Sequence, residues 1–123
     1  MSRTKVMLIG LETSAVDFEK WPQLTPEKLE AGFKEILAEL SAAGFEPRNC
    51  LVDTGATAEQ VVTDTLNAFK ADVVVIGAGV RNDPDHLLLF EKVINLVTRH
   101  APGCRLAFNT LPFDTVDAVR RWA

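Results

Sequence analysis

Two glycines and an arginine follow the clearest strand signal in the chain, Val73-Val-Val-Ile-Gly77-Ala-Gly79-Val-Arg81. Glycines let a backbone turn tightly or approach a ligand closely. A guanidinium fork fits a phosphate or a carboxylate. Together Gly77, Gly79 and Arg81 point to an anion held where a helix begins. Asp83 and Asp85 oppose that reading, because they put negative charge at the same place. A dinucleotide-binding fingerprint would need a third glycine at position 82 and an acid ending the next strand. Asn82 and Phe108-Asn109 stand there instead. Two readings of the turn remain: an anion-binding loop, or a strand-to-helix turn packed too tightly for a side chain.

A second set of residues could move protons. His86 falls in the first turn of a helix, where the positive helix end disfavours the imidazolium and suits a general base. Asp85 adjoins it, and Glu12 follows the first strand. Ser14, Asn109 and Thr110 add neutral hydrogen-bonding groups at other strand ends. No G-x-S-x-G elbow, no Walker lysine and no nucleophilic cysteine loop accompanies them. Cys50 and Cys104 lie far apart, and with only two histidines a zinc cluster is not expected. The cysteines read as buried, reduced, small apolar residues of a cytoplasmic protein.

Four strand–helix units must position these groups. Lys5–Gly10 reads as a buried strand. Thr25-Pro26-Glu27 is a helix start, and Leu29, Phe33, Ile36, Leu37 and Leu40 make its apolar stripe. Gly44 ends that helix. A weaker strand spans 45–52. Thr57-Ala-Glu-Gln60 matches a capping box before Val61, Val62, Leu66 and Phe69. The strand Asp72–Gly77 runs β-branched without alternation, so both its faces are buried. A third helix starts near Asp83-Pro84 and runs to Arg99, followed by a strand at Arg105–Phe108. A last helix starts near Asp114 and carries Val116, Val119 and Trp122.

The alternation predicts one three-layer α-β-α domain over 1–123, with a four-stranded parallel sheet in order 2-1-3-4. That is a shortened doubly wound, flavodoxin-like or Rossmann-like sheet, whose ligands bind beyond the carboxyl ends of strands one and three. Every candidate above falls at that end. The connection 10–25 exceeds the usual βα length and contains Phe18 and Trp21. It reads either as a lid or as a short helical turn packed on the first helix.

Composition narrows the classes. With 123 residues, 47% hydrophobic and a net charge of −4, the chain is too apolar for disorder. It has no run long enough for a membrane span. A pI near 5.1 argues against a nucleic-acid surface. The third helix is apolar beyond one stripe. Phe90, Val93, Ile94 and Val97 face the sheet, while Leu87, Leu88, Leu89 and Leu96 lie partly off it. This predicts a homodimer through helix 85–99 or the edge of strand 104–109.

Four segments carry a resemblance. Val75-Ile-Gly-Ala-Gly-Val-Arg81, Asp85-His-Leu-Leu-Leu-Phe-Glu91, Ala107-Phe-Asn-Thr110 and Asp114-Thr-Val-Asp-Ala-Val-Arg-Arg-Trp122 are similar to a family of short bacterial proteins of unassigned function. The resemblance implies a free-standing, Rossmann-like cytosolic protein, and no activity or cofactor with it. The residues themselves predict a protein that binds an anionic small molecule at the switch-point crevice. The alternatives are a small enzyme using His86 as acid–base, and a homodimeric interaction module without catalysis.

Overall fold

The computed structural model describes residues 3–123. Its sheet is all parallel and orders as β2-β1-β3-β4, with β1 at Lys5–Leu11, β2 at Glu46–Val52, β3 at Val73–Ile76 and β4 at Arg105–Phe108. Five α-helices flank it among the described residues: α1 (Pro26–Ala42), α2 (Ala58–Phe69), α3 (Ala78–Arg81), α4 (Leu87–His100) and α5 (Thr115–Arg120). This is the three-layer, Rossmann-like arrangement that the alternating pattern predicts. No helix among the described residues is long and apolar enough to cross a membrane.

The two central strands are apolar and buried from Val6 to Leu11 and from Val73 to Ile76 because each is covered on both faces. Their side chains alternate between two cores. Met7, Ile9, Val74 and Ile76 pack with Val62, Leu66 and Phe69 of α2 and with Val93 and Val97 of α4. Val6, Leu8, Val73 and Val75 pack with Ile36 and Leu40 of α1 and with Ala118 and Val119 of α5.

Helix α1 starts as its sequence dictates. Thr25 Oγ1 accepts from the Lys28 N–H at 3.2 Å, and Pro26 occupies the first turn, where its missing N–H costs nothing. Gly44, at φ +97°, turns the chain out of that helix.

Other local expectations are corrected. Thr57 does not cap α2. Its hydroxyl donates to Asp53 at 2.8 Å, while Gln60 donates to Asp64. The Asp53 carboxylate also accepts the Gly55 and Thr57 N–H groups, so it organises this turn in place of the capping box. A short helix, α3, comes directly behind Gly77, where none is expected, while the helix expected from Asp83-Pro84 does begin there, with Asp83 accepting the Asp85 N–H. A 3-10 turn at Pro84–His86 then leads into α4. The buried stripe of α4 is Leu89, Val93, Leu96 and Val97, whereas Phe90 and Ile94 are half-buried. Trp122 lies beyond α5 and is half exposed. Cys104 is only partly buried; Cys50 is fully so.

The C-terminal residues strap the edge strand. Arg105 donates to the Trp122 carbonyl at 3.0 Å, and Arg121 donates to the Phe108 carbonyl at 3.0 Å.

Candidate functional site

Helix α1 buries only Ile36 and Leu40. Nearer its start, Leu29 and Phe33 line a cavity of about 490 Å³, with Phe33 also resting on the core beneath α1. The floor is Leu8, Ile9, Gly10 and Leu11 at the carboxyl end of β1. Gly10 lies against Phe33: a Cβ there would come within 3.1 Å of the ring. Gly77, Ala78 and Gly79 form the wall above β3. Gly77 is there for closeness, since its Cβ would lie 3.3 Å from the Ile9 carbonyl. Neither Gly77 nor Gly79 needs positive φ.

The segment between β1 and α1 supplies the roof. Val16, Asp17, Trp21 and Leu24 line the cavity from that side. Local turns shape the segment: Asp17 Oδ1 accepts from the Glu19 and Lys20 N–H groups, and a 3-10 turn covers Thr13–Ala15. One side chain ties this roof across the cavity. Lys20 Nζ lies 2.7 Å from Asp83 Oδ1 and 2.9 Å from Asp85 Oδ2.

The hydrogen bond from Lys20 holds the Asp83 carboxyl below the usual carboxylate range. Asp83 and then Asp85 push the Lys20 ammonium above the usual lysine range. Asp83 therefore contributes stability above the unfolded carboxylate pKa of about 3.9, and loses it as pH falls through its lower folded value. Lys20 contributes fully below about 10.4, and its contribution is lost as pH rises through its higher folded value. The tie is closed throughout the neutral range. Lys20→Met is expected to speed amide exchange across residues 13–24 at pH 7, with β1 and β3 unchanged. Unchanged exchange in that segment would refute the tie.

The sequence candidates divide into two groups. Gly77, Gly79, His86, Asn109 and Thr110 line the cavity. Arg81, Ser14, Glu12 and Asp85 are not among the lining residues. Arg81 Nε donates to the Ile76 carbonyl at 2.8 Å, and a second guanidinium nitrogen donates to the Asn109 carbonyl. The guanidinium carbon lies 5.2 Å from the Phe108 ring centroid. Burial pulls the Arg81 pKa down, and the Asp114 charge opposes that. Arg81 thus ties the ends of β3 and β4 together. Ser14 donates to Glu12 at 2.9 Å, away from the cavity wall.

Asn109 is a buried strut. Its Oδ1 accepts the Ala78 N–H at 3.2 Å, and its Nδ2 donates to Thr115 Oγ1 at 2.9 Å. Thr110 gives both its N–H and its hydroxyl to Asp114. His86 Nδ1 lies 3.3 Å from the Gly79 carbonyl. A carbonyl can only accept, so Nδ1 is the donor in this contact.

No protein-family model, curated protein or solved structure matches the chain. The site is therefore read from its own chemistry.

That chemistry is mainly apolar. The walls are aliphatic and aromatic, and the polar groups gather on the side of Asp17, Asp83 and His86. No lysine or arginine is among the lining residues. Among the described residues, no three His, Cys, Asp or Glu side chains gather as a metal site would need.

Proposed function

We propose that the protein binds a small, largely apolar molecule in the crevice beyond the carboxyl ends of β1 and β3. The observation that carries this reading is the roofed cavity itself. Its volume of about 490 Å³ falls within the range of small-molecule sites, and its place at the switch point is where parallel sheets bind ligands. The anionic ligand expected from Arg81 has less support, because that guanidinium is committed to two carbonyls. His86 lines the cavity but is paired with no nucleophile there, which favours binding over catalysis.

N-phenylnaphthylamine, a neutral dye that brightens in apolar surroundings, tests the reading. Saturable binding of one dye per chain is expected. Leu29→Trp, which fills the cavity from α1, should weaken binding roughly tenfold or more, about 1.4 kcal/mol. Absence of saturable binding, or an indifferent Leu29→Trp, would sink the proposal.

Self-association is a second reading. Leu87 and Leu88 at the start of α4 are 62% and 76% exposed. Exposed leucines side by side favour a homodimer through the start of α4. Sedimentation of Leu88→Glu against the parent chain tests it, with loss of a dimer expected.

A further inference from the structure

The polar groups around the cavity are unequal in kind. Asn109 has committed both ends of its amide, and Thr110 has given its N–H and hydroxyl to Asp114. The Asn82 amide, exposed at the rim, serves a donor or an acceptor equally. What remains accepts hydrogen bonds. The Asp83 side chain is only 7% exposed and lines the cavity. Its Oδ1 takes Lys20 and the Asp85 N–H. Its Oδ2 accepts no hydrogen bond among the described residues; the nearest cationic candidate, His86 Nδ1, is 4.0 Å away and directed to the Gly79 carbonyl. Asp17 Oδ2 on the roof is a second acceptor.

Charge points the same way. The Lys20 ammonium pairs with Asp83 and Asp85, one cation to two carboxylates, and the Asp17 carboxylate on the roof accepts backbone N–H groups, so this corner of the cavity stays negative. Arg81 lies outside the lining, bound to carbonyls and under the influence of Asp114. An anion entering this corner would meet like charge, screened by water at the exposed Asp17 and Asp85 but little at the buried Asp83. A group with an N–H or O–H to give would find an open carboxylate oxygen.

We infer that the cavity selects its ligand by charge: it takes an apolar molecule whose polar end donates hydrogen bonds and is neutral or cationic, seated against Asp83 and His86, and it disfavours the same skeleton carrying an anion. This rests on the reading that the crevice binds a small molecule.

Two dyes of one skeleton separate the inference from that reading. N-phenylnaphthylamine has an N–H donor and no charge; anilinonaphthalene sulfonate keeps the rings and the N–H and adds a sulfonate. Titration of the full chain by fluorescence should show the neutral dye binding at least about tenfold more tightly. Asp83→Asn should narrow that preference by roughly threefold or more, because the acceptor stays and the charge goes. Asp17→Asn, exposed on the roof and not buried as Asp83 is, should narrow it in the same direction and serves if Asp83→Asn does not fold. Equal or tighter binding of the sulfonate, or a preference unmoved in the folded variants, overturns charge selection while leaving the binding site standing. If neither dye saturates, or if Leu29→Trp leaves both unaffected, the binding reading itself falls.

Discussion

Leu40→Ala is expected to lower the unfolding free energy by about 2–5 kcal/mol, the range for a fully buried leucine. The upper half of that range is favoured by the way α1 is mounted. A 17-residue helix would ordinarily spread its attachment over several turns, but α1 buries only Ile36 and Leu40. Phe33 and Leu29, one and two turns nearer its start than Ile36, line the cavity. Leu40 is therefore one of two buried residues by which the helix packs on Val6, Leu8, Val73 and Val75, with Phe33 adding a partly buried contact. Neighbouring side chains on a parallel sheet cannot easily collapse into the vacated space, so most of the cavity cost persists. Urea denaturation should show a lower midpoint with an unchanged slope. A loss below about 1 kcal/mol would mean that α1 is held elsewhere.

Asn109→Ala is expected to cost about 2–4 kcal/mol, since a buried donor or acceptor left without its partner costs about 1–3 kcal/mol. The substitution removes the acceptor of the Ala78 N–H and the donor to Thr115 Oγ1 in one step. These bonds join the end of β4 to α3 and α5, and Ala78 is part of the cavity wall. Dye binding should weaken along with stability. A variant with full stability and weakened binding would show that Asn109 contacts the ligand instead of bracing the wall.

How far these arrangements could be read in the residues depends on the kind of signal. β3 was legible because four consecutive β-branched residues have few alternatives to a doubly covered strand. The start of α1 was legible because threonine, proline and glutamate each satisfy a different need of a helix end. Leu29 and Phe33 were misleading for a physical reason: an apolar stripe looks the same whether it meets a sheet or a ligand-sized space. Arg81 misled similarly, since exposed carbonyls at two strand ends attract a guanidinium just as an anion does. Lys20 gave no sign at all. Its partners are 63 and 65 residues away, and only the folded crevice brings them together.

The strap formed by Arg105 and Arg121 bears on how copies of the chain can meet. A bare edge strand is a template on which another chain can continue the sheet, with fibres as the end point. Here the C-terminal residues lie across that template: one arginine on the strand holds the Trp122 carbonyl, and one arginine beyond α5 holds the Phe108 carbonyl. An incoming strand would have to evict the chain's own tail before making its first bond. Growth by sheet extension is thereby hindered at the β4 edge, which leaves β2 as the edge of the sheet that the tail does not cross.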